Sequence, residues 1–123
     1  MQTQVLKSTT NYHAGLVAED IVAADYARRG QPIAGRRWRG SGGEIDLIAR
    51  DGAQVIFVEV KKSRDFARAA TRLNRRQMDR LCAAASEFVA DEPNGQMTDM
   101  RFDLAMVNGA GAVQIIENAF MEA

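Results

Sequence analysis

Two short stretches of this 123-residue chain set acidic and basic side chains at spacings that could do chemistry. Gly43-Glu44-Ile45-Asp46-Leu47-Ile48-Ala49 and Val55-Ile56-Phe57-Val58-Glu59-Val60-Lys61 are apolar runs carrying charges at alternate positions, the pattern of paired β-strands. Asp51-Gly52 lies between them and is a strong hairpin signal. With Asp51-Gly52 as a two-residue turn, Arg50 pairs with Ala53, Asp46 faces Phe57 and Glu44 faces Glu59. Glu44, Asp46, Phe57, Glu59 and Lys61 then share one face, and Ile45, Leu47, Ile56, Val58 and Val60 form the other. Asp46 and Glu59 become diagonal neighbours with backbones about 7 to 8 Å apart. One divalent cation with oxygen ligands at roughly 2.1 Å can span that gap.

Like charges opposed across a hairpin destabilise it, so something positive belongs among these carboxylates. Lys61 is one candidate and a bound Mg²⁺ or Mn²⁺ is the other. Together they suit phosphodiester hydrolysis: Asp46 and Glu59 hold the cation, which activates a water, and Lys61 positions or polarises that water. The plainer reading is an exposed strand face with a Glu59 to Lys61 salt bridge, worth little. Residue usage favours the chemical reading. The chain has 13 Arg and only 3 Lys, and an arginine would serve a surface bridge as well, whereas a compact ammonium with a tunable pKa has specific catalytic uses.

These strands need a scaffold. The spacing predicts a loose polar tail over residues 1–12, then a single domain over 13–123 that opens with a helix from about His13 to Arg29, stopped by Gly30. A strand follows over Gln31 to Arg39, starting at Pro32. After the central hairpin, helical periodicity runs from about Thr71 to Ala90 and ends at Pro93-Asn94-Gly95. A second hairpin joins Arg101–Val107 to Ala112–Asn118. The order of elements predicts an α/β fold, a mixed central sheet of about five strands flanked by helices. Gly40-Ser41-Gly42-Gly43 lacks the Lys-Ser/Thr ending and following helix of a phosphate-cradling loop.

The formal net charge of zero conceals a dipolar chain. The stretch from Arg28 to Arg80 holds 14 of 16 basic and 6 of 16 acidic residues, a net +8 against −8 for the flanks. That asymmetry points to a basic face. Arg64, Arg68, Arg72, Arg75, Arg76 and Arg80 follow the candidate catalytic strand, where phosphate contacts would be useful; the plainer reading is a wet helix face and loop. Arg36, Arg37, Arg39 and Lys62 join them as candidate nucleic-acid contacts. Trp38 could stack on an unpaired base, although packing at a sheet edge is the commoner role. A lone Cys82 and the absence of an apolar leader predict a reducing, cytoplasmic setting. No segment approaches the roughly 20 apolar residues a bilayer span needs. One histidine, His13, and one cysteine exclude a self-contained Cys/His zinc site, and His13 at a helix start suits a surface or capping role.

Gly15-x-x-Ala18-Glu19, Gly43-Glu44-Ile45-Asp46-Leu47-Ile48-Ala49-Arg50-Asp51-Gly52, Phe57-Val58-Glu59-Val60-Lys61 and Arg101-Phe102-Asp103-Leu104 together closely resemble the UPF0102 (YraN-like) family, over nearly everything from His13 to Phe120. That family is placed with the PD-(D/E)xK restriction-endonuclease-like nucleases and is similar to archaeal Holliday junction resolvases. The resemblance implies metal-binding and catalytic positions at Asp46, Glu59 and Lys61, and an additional metal-binding carboxylate at Glu19, whose plainer role is to favour a helix N-terminus. The chain departs from the family pattern at Ala18, where Gly is usual, at Arg37, where Asn usually precedes Trp38-Arg39, and at Lys62-Ser63-Arg64, where Thr-Arg is usual.

The reading is a metal-dependent endonuclease acting on branched or otherwise structured DNA. Its competitors are a catalytically silent nucleic-acid-binding module of the same fold and a protein-interaction domain whose carboxylates are merely surface charge. A homodimer would suit an enzyme that cuts two strands, and the sequence carries no interface signature.

Overall fold

A computed structural model of the protein describes residues 2–67 and 74–119, with side chains from Ala14 onward, outside the stretch 68–73. Helix α1 spans Gln2–Arg28, followed by strands β1 (Ile33–Arg39), β2 (Glu44–Asp51) and β3 (Gln54–Lys62), helix α2 (Arg75–Val89), a 3₁₀ turn (Gly95–Met97), and strands β4 (Met100–Val107) and β5 (Val113–Ile116). The helix starts at Gln2 rather than His13: no proline or glycine interrupts residues 2–12, so nothing in the backbone stops it there. The His13 side chain, with its expected surface or capping role, lies outside the described residues. At the other end Gly30, at φ +76°, donates to Ala27 O while Gln31 donates to Tyr26 O. That pair of bonds is a Schellman closure, which needs the left-handed residue glycine supplies.

The sheet has the order β1-β2-β3-β4-β5, with β3 and β4 parallel and every other pair antiparallel. Helix α2 makes the β3-to-β4 crossover that a parallel pair requires. Alternation sorts the strand residues into two cores. Leu47, Ala49, Ile56, Val58, Ala105 and Val107 pack under Ala18, Val22, Ala23 and Tyr26 of α1. Ile48, Val55 and Phe57 pack under Leu81, Ala84, Ala85 and Val89 of α2. One helix therefore covers each face, and the architecture is an open α/β sandwich consistent with a restriction-endonuclease-like fold. Among the described residues no helix is long and apolar enough to cross a membrane.

Helix α2 begins later than its periodicity predicts because Asn74 caps it, its side chain accepting from Gln77 N at 2.9 Å. The glycine-rich loop is pinned to the same helix. Glu87 accepts from the Ser41 hydroxyl and the Ser41 and Gly42 amides, which holds its carboxyl below the usual range, chiefly through the Ser41 hydroxyl. Trp38 packs edge-on against Phe88 with ring centroids 5.5 Å apart, the packing role expected of it.

Asp103, fully buried on β4, fastens α1 to the sheet. It accepts from the Tyr26 hydroxyl at 2.7 Å, from Arg101 through two bonds of 2.9 Å, and from Asn118 N at 3.2 Å. Burial, then the Asp103 hydrogen bond, drives the Tyr26 phenol above its ordinary range. Replacing only one partner of such a pair leaves an uncompensated buried charge. Arg101→Ala should therefore destabilise the fold by about 3–5 kcal/mol, and Tyr26→Phe by only about 1 kcal/mol, both read from urea denaturation midpoints.

Candidate active site

The central hairpin forms with a register other than the expected one. Asp51 pairs with Gln54 and Arg50 with Val55, so the turn residues are Gly52 and Ala53. Gly52 sits at φ +60°, and a loop with glycine at its first central position avoids placing Asp51 at positive φ, as an Asp-Gly turn would. The shift of two, being even, does not exchange the faces of the paired residues but moves Asp46 from a diagonal position into the same row as Glu59. The ladder stops at Leu47–Val58, and the next amide, Val60 N, donates to Asp46 Oδ2 at 2.8 Å.

Asp46 also lies where the sheet changes hands. Ile45 and Leu47 belong to opposite cores, the former with α2 and the latter with α1. Ile45 thus leaves the face that simple alternation assigns to it. Across from Asp46 on β1, between the pairs Arg36–Leu47 and Trp38–Ile45, stands Arg37 at φ +48°. Such local breaks re-aim side chains and recur beside active sites.

Glu59 is 7% exposed and lies in register with Leu104 of β4, whose apolar neighbourhood includes Met106 and Phe66. It shares a side-chain hydrogen bond with Asp46, accepts at Oε2 from Gln77 Nε2, and has Lys61 Nζ at 3.5 Å from the same oxygen. Burial, and then the hydrogen bond and negative charge of Asp46, push its carboxyl up to about 8 against the pull of Lys61. The Glu59–Lys61 bridge of the plainer reading exists, but on a buried strand rather than an exposed face.

The structure brings Asp46, Glu59 and Lys61 together. Glu19, buried on α1, is instead taken by Arg37, whose Nε and one terminal nitrogen bond its two oxygens at 3.0 Å each. Among the described residues no three His, Cys, Asp or Glu side chains gather as a metal-binding group. Glu44 also leaves the acidic patch, bonding Arg39 at 2.9 Å across the β1–β2 pair. Of the other candidate nucleic-acid contacts, Arg36 bonds Asp20 and Arg75 pairs with Asp79, both at the surface. Lys62, Arg64, Arg76 and Arg80 are exposed. Arg68 and Arg72 lie outside the described residues. Gln77 was not legible as a site residue. Its place three after Asn74 marks the third residue of a helix, where a glutamine ordinarily turns back to the cap amide; here the side chain reaches Glu59.

A family model described as uncharacterised protein family UPF0102 matches residues 18–107, well over half of the chain. The chain belongs to the UPF0102 family. It is similar to a UPF0102 protein of Cereibacter sphaeroides, 62% identical over 115 residues that cover 94% of this chain and 98% of the relative. A UPF0102 protein of Ruegeria pomeroyi is 59% identical over 120 residues, 98% of each chain, and one of Roseobacter denitrificans is 55% identical over 111 residues, 90% of this chain and 86% of that one.

In this UPF0102 protein the candidate ligands, Asp46 and Glu59, offer carboxylate oxygens, the ligands hard divalent cations prefer. A cation between Asp46 and Glu59 would let Glu59 ionise, which its burial and the neighbouring Asp46 otherwise oppose. Without metal, the folded chain holds the Glu59 proton more tightly than the unfolded chain, whose carboxyl titrates near 4.5. The stabilisation this gives is complete below that value and is lost as the pH rises through 8. Glu59→Gln should remove this loss. Urea unfolding in EDTA should show the variant gaining on wild type by on the order of a few kcal/mol between about pH 5 and about pH 8.5.

Proposed function

We propose that this protein is a divalent-metal-dependent endonuclease that hydrolyses phosphodiester bonds in branched or otherwise structured DNA. One observation carries the reading. Among the described residues the buried acids are Glu19, Glu59 and Asp103, and each needs a counter-charge. Glu19 and Asp103 each receive a bidentate arginine, whereas Glu59 is set against a second carboxylate, Asp46. A carboxylate set there, with Lys61 Nζ at 3.5 Å in place of a bidentate arginine, supports reading the pair as a cation site.

In this reading Asp46 and Glu59 hold Mg²⁺ or Mn²⁺. The cation, when bound, supplies Lewis acidity and lowers the pKa of a coordinated water. Lys61, beside Glu59 and only 18% exposed, donates from its ammonium to the attacking water or the scissile phosphate. Val60 N fixes the Asp46 carboxylate and Gln77 fixes that of Glu59, so neither needs to reorganise as charge develops. Lys62 and Arg64 continue from the end of β3, and Arg76 and Arg80 stand on α2; these exposed cations supply sequence-independent phosphate contacts.

A panel of labelled junction, flap, single-stranded and duplex DNAs, incubated with Mg²⁺ or Mn²⁺, tests the reading. Cleavage of at least one structured substrate is expected. Asp46→Asn and Lys61→Ala should each lower the cleavage rate by at least about a hundredfold while binding, followed by anisotropy, stays within a few fold. Binding without cleavage in wild type would favour the silent module, and neither binding nor cleavage would favour the protein-interaction domain.

A further inference from the structure

Where the parallel strands β3 and β4 end side by side, a cavity of about 680 Å³ opens beside helix α1. Its floor is apolar, made by Val17, Ala18 and Ile21 of α1 with Val107 of β4, and Lys62, Ser63 and Arg64 form one wall as the chain leaves β3. The loop 108–111 between β4 and β5 forms another. Both walls are held by the protein's own bonds. Asn108 Oδ1 accepts from Ala110 N at 3.0 Å and from Ala112 N at 2.9 Å, and Ser63 N donates to Val107 O at 3.0 Å. The cavity is therefore shaped before any ligand arrives.

The lining restricts what can fill it. Val17 is 54% exposed, a large apolar side chain left uncovered on the floor. Two lining residues, Lys62 and Arg64, are cationic, and among the described residues no acidic side chain lines the cavity. Arg64 is exposed and pairs with no acid among the described residues. The complementary ligand is an apolar body carrying an anion. Position narrows it further. Ligands of open α/β sheets gather beyond the carboxyl ends of the strands, and Lys61 of the candidate active site directly precedes Lys62. Alternation sets these two lysines on opposite faces of β3, so a single strand of DNA passing over the end of β3 can reach both the active-site face and the cavity.

We propose that this cavity holds one unpaired nucleotide of the DNA substrate, its base on the Val17 floor and its phosphate on Arg64. The inference rests on the reading of Asp46, Glu59 and Lys61 as a phosphodiester-cleaving site, and it names the feature of a structured substrate that the protein selects. A paired base is locked in its stack and pays unpairing energy to enter a concave site, whereas an unpaired base has little to lose. An aliphatic floor makes contact with the face of any base, so selection is for structure and not for sequence.

The test is a scan of forked DNA in EDTA, followed by fluorescence anisotropy with the full chain, in which an abasic residue is walked through the unpaired arm. In wild type, removal of the base at one position should weaken binding at least about fivefold. In Val17→Gln, an exposed and uncharged replacement, the same abasic residue should cost less than about twofold, because floor and base act through one contact. Arg64→Gln should make the log–log salt dependence shallower by about one phosphate contact. A scan that is flat in wild type, an abasic cost that persists in Val17→Gln, or an unchanged salt slope in Arg64→Gln would each overturn the proposal. So would a flat scan with decanoate displacing the DNA, which would assign the cavity to an acidic amphiphile. If the scan is flat while Mg²⁺ supports cleavage of the intact fork, the cavity proposal fails and the nuclease reading stands. If the scan shows the expected position but no metal supports cleavage, the nucleotide site stands and the nuclease reading fails. If wild type binds no forked DNA, both fall.

Discussion

The confinement of Glu59 against Asp46 is the constraint on which the rest of this structure turns. Two carboxyls in a mostly apolar setting can remain there only by sharing a proton or sharing a cation. The fold relieves them only in part: Lys61 at 3.5 Å pulls the Glu59 carboxyl down, but burial and Asp46 outweigh it and hold that carboxyl up at about 8. The cost is carried by the surrounding packing. β3 runs through the middle of the sheet, paired on both sides and covered by a helix on each face, so the unfavourable group sits on the most firmly held strand. Stability given up at one site and recovered elsewhere is a pattern of functional sites.

Besides Asp46 on β2, the neighbouring elements contribute restraints. β2 breaks its alternation at Asp46 and turns this carboxylate onto Val60 N, so its direction is set by the backbone. The first turn of α2 brings Gln77 to Glu59, and the same helix is tied to the Gly40–Gly43 loop by Glu87 and to β2 by the Glu92–Arg50 pair that follows it. Helix α1, fastened by the Tyr26–Asp103–Arg101 network, presents Glu19 to Arg37. Displacement of α2 would thus reach Glu59 through the Gln77 hydrogen bond, and displacement of α1 would reach β1 opposite Asp46 through the Glu19–Arg37 pair.

Much of this was legible in the sequence, and the reasons for the exceptions are physical. Alternation in two apolar runs located β2 and β3, and because the turn shift was even, Asp46, Glu59 and Lys61 kept the face assigned to them. The row they occupy was not legible, since Asp51-Gly52 and Gly52-Ala53 both satisfy hairpin chemistry and only three-dimensional packing chooses between them. The partner of Glu19 was hidden for another reason. Period and propensity say nothing about a residue at positive φ such as Arg37, and it is that backbone state that accompanies the pairing with α1. The +8 central segment was legible as a sum but not as a surface: Arg36, Arg37, Arg39 and Arg75 each pair with a nearby acid, and Lys62, Arg64, Arg76 and Arg80 are further exposed cations among the described residues.

The most direct measurement is a carboxyl-carbon NMR titration of Glu59 in the metal-free protein, repeated with Mg²⁺. Glu59 should titrate near 8 without metal, and at neutral pH Mg²⁺ should shift its resonance to the ionised position in wild type but not in Asp46→Asn. A Glu59 resonance that titrates near the ordinary 4.5 and ignores Mg²⁺ would contradict a shared cation site.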